Sequence, residues 1–217
     1  MAQVVAFRDR REAGRRLADD LSGYTGRHDV VVLALPRGGV PVGYEVAQAL
    51  GVPLDVFLVR KVGVPGHAEL AMGAIATGGV MVRNQSVIDA LRISERDIDA
   101  VAAREGEELE RREGAYRDGR PAPDVAGKTV ILVDDGLATG ASMKAAVRAV
   151  RALKPAAVVV AVPTAAPPSV AEMRAEADEV VCPLMPESFM AVGQWYHDFS
   201  PTTDEEVRQL LADAAGG

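Results

Sequence analysis

The sequence predicts an α/β protein in which a mostly parallel sheet is flanked by helices. Three observations carry this. The runs 30–35 (Val-Val-Val-Leu-Ala-Leu), 130–133 (Val-Ile-Leu-Val) and 156–162 (Ala-Ala-Val-Val-Val-Ala-Val) are apolar along their whole length, as strands buried on both faces of a parallel sheet are. Two of them run into glycine-rich turns. Helical spacing follows each of those turns, so the order strand, glycine turn, helix, strand repeats.

Each element follows in turn. Ala13, Leu17 and Leu21 space an amphipathic helix whose start carries Arg8, Arg10 and Arg11, read as a solvated basic turn. After the strand at 30–35, Val42, Val46 and Leu50 recur every four residues. A fourth strand is expected over 54–59. Residues 62–74 hold three glycines and a proline and are expected to form a mobile loop. Residues 94–117 form a long charged helix, opened by Ser94 in a near capping box with Asp97. Its apolar stripe of Ile98, Val101, Ala102 and Leu109 is thin, so it is expected to be mostly solvated or to meet a second copy in a homodimer. A Pro- and Gly-bearing connector spans 118–127. Met143, Val147, Val150 and Leu153 mark the helix after Gly140, and 204–215 a terminal helix. One domain over 1–217 is expected, with a core over about 28–182 and a small hood over about 183–217.

Composition bounds the function. The chain has 217 residues, 48% hydrophobic and 25% charged, which suits a packed core. Its net charge of −7 argues against general nucleic-acid binding. Cys182 is the only cysteine, so neither an intrachain disulfide nor a cysteine metal cluster can form. Residues 1–12 are too charged for a signal peptide, and no apolar run reaches the roughly 18 residues a membrane span needs. A cytoplasmic protein without a membrane partner is the expectation.

The segment 130–142 reads V-I-L-V-D-D-G-L-A-T-G-A-S. A buried strand delivers Asp134 and Asp135 to its carboxyl end, where open α/β sheets bind ligands. The turn Gly136, Leu137, Ala138, Thr139, Gly140, Ala141, Ser142 then opens a helix, and its N–H groups form a phosphate cradle. Two carboxylates beside such a cradle would repel a bare phosphate. They suit a sugar phosphate, from whose hydroxyls they can accept hydrogen bonds. A second glycine turn, with Arg37, Gly38 and Gly39, follows the first buried strand and suits another anion. Gly127-Lys128-Thr129 is not a Walker A end, because position 122 is alanine and a strand follows. No Gly-x-Ser-x-Gly elbow is present.

The segment 130–142 resembles the signature of type I phosphoribosyltransferases, and the chain is similar to bacterial phosphoribosyltransferase-like proteins whose family name specifies no acceptor. The resemblance implies a Rossmann-like fold. It implies the donor 5-phosphoribosyl-1-pyrophosphate, Mg²⁺ as cofactor, and a small-molecule acceptor bearing a nitrogen nucleophile, a nucleobase-like heterocycle. Asp134 and Asp135 would hold the ribose and, directly or indirectly, the metal. Residues 136–142 would hold the 5-phosphate, and Arg37, Gly38, Gly39 and Lys61 the pyrophosphate. The family's pyrophosphate loop commonly carries a cis non-proline peptide, expected here between Pro36 and Gly38. In related enzymes a loop at 62–74 closes over the substrates, and its His67 and Glu69 could move a proton. Where hypoxanthine-guanine enzymes carry a loop aspartate, this chain has Ala138, as adenine enzymes lack that aspartate too. Phe189 and Val192 would bind the acceptor and Asp198 would lie near the metal. Residues 162–165 offer no lysine to read a 6-oxo group. A non-catalytic regulatory protein that senses the donor or a nucleotide is the alternative.

Overall fold

The computed structural model describes residues 6–216, except for the side chains of Ala68 and Glu69. In chain order the elements are α1 (Arg10–Asp20), β1 (Val30–Ala34), α2 (Gly39–Leu50), β2 (Leu54–Val56), β3 (Val59–Val64), β4 (His67–Ala76), β5 (Val80–Arg83), α3 (Gln85–Leu91) and α4 (Glu95–Arg117). They continue with β6 (Thr129–Val133), α5 (Ala141–Ala152), β7 (Ala157–Ala161), α6 (Pro167–Met173), β8 (Glu179–Val181) and α7 (Asp204–Ala215).

Five strands form an all-parallel sheet in the order β2-β1-β6-β7-β8. The uniformly apolar runs are explained by helices on both faces. Val31, Leu33, Val130, Leu132, Val158 and Val160 pack with Met143, Val147 and Val150 of α5. Alternate residues Val30, Val32, Ile131, Val133 and Val159 pack with Val42, Val46 and Leu50 of α2 and Leu17 and Leu21 at α1. The period of two along each strand sends successive side chains to opposite layers, and both layers are buried and apolar.

The stretch from 54 to 83 departs from the sequence expectation. The strand expected over 54–59 ends at Val56, and a new one starts at Val59. Residues 62–74 are not an irregular loop but most of an antiparallel ribbon, and β5 completes a separate three-stranded sheet in the order β3-β4-β5. Its register shifts on either side of Gly63. Those bulges and glycines are what made the segment read as a loop. As expected, α4 is exposed over most of its length, but it is anchored along one stripe. Ser94 caps it by accepting from the Asp97 N–H, and Ile98, Leu109 and Tyr116 are buried with Val62, Val64 and Met72 of the small sheet and with Val207, Leu210 and Leu211 of α7. A thin stripe suffices because the sheet it covers is narrow. At its last turn the buried Arg117 bonds both Asp55 oxygens (3.2 and 3.0 Å), the Val56 carbonyl (3.0 Å) and Glu113 (3.2 Å), tying α4 to β2.

Candidate functional site

The carboxyl ends of β1 and β6 are neighbours, so the turns that follow them meet. The Leu35 N–H donates to the Val133 carbonyl at 2.8 Å. The Pro36–Arg37 peptide is cis, inside the expected window. Gly38 and Gly39 lie so close to the acidic pair that a side chain would collide. A Cβ on Gly38 would stand 2.1 Å from Asp135 Oδ2, and one on Gly39 would stand 2.7 Å from the Val133 carbonyl and 2.9 Å from Asp134 Cα.

The second turn is held from one side and open on the other. The Leu137 N–H donates to Thr164, and its carbonyl accepts from Ala166, both at 3.0 Å, which fastens the turn to the end of β7. The Ala138 carbonyl accepts from the Ser169 hydroxyl. Gly140, at φ +72°, turns the chain into α5. The N–H groups of Ala138, Thr139 and Gly140 have no acceptor among the described residues. Orphan donors gathered at the start of a 12-residue helix are an anion cradle.

The two carboxylates are not equivalent. Asp134 Oδ1 accepts the Asp135 N–H at 2.8 Å. Burial pushes the Asp134 carboxyl well above its ordinary range, and the neighbouring Asp135 pushes it further. Burial raises Asp135 too, but the Arg10 guanidinium opposes it. Arg10 Nε donates to Asp135 Oδ2 at 2.8 Å, with only 11% and 15% of the two side chains exposed. The same guanidinium donates to the Ser200 carbonyl at 2.8 Å and lies 4.0 Å from the Phe199 ring centroid. Tyr196 adds its hydroxyl to the Asp135 carbonyl at 2.5 Å. This corrects the reading of Arg10 as solvated. Composition does not separate it from Arg8 and Arg11. Only the return of residues 195–200, paired through Phe7 with Trp195 and His197 at 2.8 Å each, brings it inward.

A cleft of about 140 Å³ opens beside the pair, and Arg37, Asp134 and Ser142 all line it. So does Arg60, which the sequence pairs with Lys61 as a basic strand end suited to the pyrophosphate, and so do Arg112 and Tyr116, which sequence reasoning missed. Lys61 does not. It lines a separate cleft of about 350 Å³ between the small sheet and α5, with Arg83, Lys144 and Arg148. Lys61 and Arg60 alternate along β3, so the pair that reads as one basic tip serves two faces. Arg60 instead turns to α4 and meets Glu105 at 2.6 Å. His67 is exposed, opens β4 opposite Val64, and lines neither cleft. The side chain of Glu69 lies outside the described residues. Phe189 stacks on Trp195 (centroids 6.4 Å apart), and Val192 sits over Gly136, where a Cβ would come within 2.5 Å of it. Asp198 is not with Asp134. It accepts from the Ser200 N–H and hydroxyl and lines a different groove with Asp9 and Glu206. Among the described residues no group of three or more His, Cys, Asp or Glu could hold a metal, and no helix is long and apolar enough to cross a membrane.

A family model described as the phosphoribosyl transferase domain matches residues 3–200. A Mycobacterium tuberculosis protein named "putative phosphoribosyl transferase" is 48% identical over 205 residues, covering 94% of this chain and 46% of that protein. The chain thus spans about half the length of the curated relatives it matches. The crystal structure of TT1426 from Thermus thermophilus is 47% identical with a TM-score of 0.84, covering 96% of this chain and 99% of that one. The AQ2163 protein from Aquifex aeolicus, 13% identical with a TM-score of 0.51 over 93% of this chain and 85% of its own, shares the fold.

Proposed function

Because the chain belongs to the phosphoribosyl transferase domain family, we propose that it transfers the 5-phosphoribosyl group of 5-phosphoribosyl-1-pyrophosphate to a nitrogen acceptor. The observation that carries this reading is the open cradle of N–H groups at 138–140 directly after Asp134 and Asp135. The cradle takes the 5-phosphate, Thr139 and Ser142 add hydroxyl donors, and the carboxylates accept from the ribose hydroxyls. In the reaction the C1–N bond forms as the C1–O bond to pyrophosphate breaks, and the electron pair leaves on the pyrophosphate oxygen. Asp134 faces positive charge developing on the sugar, which favours its ionised form in the bound state. Arg37, Gly38 and Gly39 meet the pyrophosphate, and Phe189 and Val192 meet the acceptor. For the proton of the acceptor nitrogen we keep His67 and Glu69. That role requires the β3–β4 ribbon to close over the cleft and exclude water.

Mg²⁺ fits here only as an ion carried largely by the substrate. One Asp135 oxygen is held by Arg10 and one Asp134 oxygen by backbone. Mg²⁺ commonly uses one or two carboxylates plus waters and substrate phosphates, so the remaining Asp134 oxygen, with Asp135 through water, would hold it. When bound it supplies Lewis-acid neutralisation of the leaving group.

Calorimetric titration with the donor, with and without Mg²⁺, tests the reading. The wild type should bind in the presence of Mg²⁺ and the Asp134→Asn/Asp135→Asn variant should not. Folded wild type that binds no donor defeats it. Binding without pyrophosphate release across a panel of heterocycles would turn the reading to a sensor.

A further inference from the structure

We infer that α4 forms part of the donor site, with Arg112 clasping the diphosphate together with Arg60. This deepens the reading above and rests on it. Three arginines, Arg37, Arg60 and Arg112, line the 140 Å³ cleft together with Asp134. Three planar donor forks brought to one notch suit an anion with more oxygens than a single phosphate, and Ser142 sets the notch next to the sugar-phosphate cradle.

The guanidiniums are aimed before any ligand arrives. Arg60 is held by Glu105 at 2.6 Å and approached by Glu108 at 3.9 Å; Arg112 is held by Glu108 at 2.9 Å. Arg37 lies 3.7 Å from Asp204, which also accepts the Tyr116 hydroxyl at 2.6 Å. None of these three carboxylates lines the cleft. Each guanidinium has five N–H donors in a planar fork, so one edge can stay on its carboxylate while another meets phosphoryl oxygens. Residues 105, 108, 112 and 116 follow helical spacing on one face of α4. The apolar contacts of Ile98 and Leu109 with the small sheet fix the rotation that turns this face inward. As the C1–O bond breaks, the charge gained by the leaving oxygen therefore develops among the guanidiniums.

Arg111 provides an internal control. It bonds the same Glu108, at 2.7 Å, and is exposed on the same helix, but it does not line the cleft. Inorganic pyrophosphate and ribose 5-phosphate are titrated separately into wild type, Arg111→Gln, Arg112→Gln and Arg112→Lys. Arg112→Gln should weaken pyrophosphate by about tenfold or more, the size of a lost charge-assisted bond, and leave ribose 5-phosphate unchanged. Arg112→Lys should recover part of the loss, and Arg111→Gln should match wild type. Because Arg112 is half exposed, its variants should fold, which thermal unfolding verifies. If wild type binds both ligands and Arg112→Gln is indistinguishable from Arg111→Gln, the role of α4 is overturned while the donor-site reading stands. If wild type binds neither, the donor-site reading itself falls.

Discussion

The carboxyl edge of the parallel sheet and the excursion from 59 to 117 build adjoining parts of the candidate site by opposite means. At the sheet edge the chemistry is backbone: strand ends, close-packed Gly38 and Gly39, and N–H groups left open at 138–140. In the excursion it is side chains, Arg60, Arg112 and Tyr116, held in place by ion pairs and a narrow apolar seam. The edge is intolerant of added atoms but needs no remote partner. The excursion tolerates surface change and depends on a few buried ties.

That contrast can be broken most severely at Arg117. Its guanidinium is 5% exposed and serves Asp55 and Glu113 at once. Arg117→Gln should destabilise the protein by about 3–5 kcal/mol, because it strands buried carboxylates, as read from the denaturant midpoint. A loss below about 1 kcal/mol, the range of an exposed ion pair, would mean that α4 is held by its apolar seam alone. Next is Gly39→Ala, whose methyl would have to displace backbone atoms of Val133 and Asp134. We expect a cost of about 1–3 kcal/mol and loss of donor affinity in the same calorimetric assay.

Asp134→Asn should act in the other direction. Burial raises this carboxyl above its ordinary value of 3.8, so the folded state binds more protons than the unfolded chain. Stability therefore falls as pH rises from the ordinary carboxylate range through the raised value. Asparagine removes that penalty and keeps the acceptor for the Asp135 N–H. At about pH 7.5 the variant should melt higher by roughly 2–4 °C, the equivalent of about 1 kcal/mol in a chain of this size. The gap should close as pH falls below the ordinary carboxylate range, where both states of the wild type are protonated. A variant that melts lower than wild type near neutral pH would contradict the burial argument. The smallest effect belongs to Gly114→Ala in α4, where a Cβ meets nothing within 4 Å. It should stabilise by about 0.5–1 kcal/mol, in contrast to Gly39, with no change in donor affinity.

The same contrast governs what could be read from sequence. The strands at 30–34, 129–133 and 157–161 were legible because burial on both faces leaves an unbroken apolar run. The turn 136–142 and Gly38-Gly39 were legible because close backbone approach demands small residues in a row. The ribbon at 59–76 was not, since bulges and glycines erase its alternation. The place of Arg112 at the cleft was not, since helical spacing fixes a face but not what that face meets. Arg10 was hidden for a simpler reason: its partners are 125 and 190 residues away, and no local pattern reports them.

That last separation has a consequence for how the protein is made. Arg10 leaves the ribosome well before Tyr196, Phe199 and Ser200 have been synthesised. At translation rates of roughly 5–20 residues per second, the 190 residues between Arg10 and Ser200 take on the order of 10–40 s. During that time Asp135 can already stand at the end of a finished β6 before the segment that turns Arg10 inward has been made. The acidic pair is thus completed after the strand that carries it, and assembly of the site is timed by the emergence of the segment 195–200.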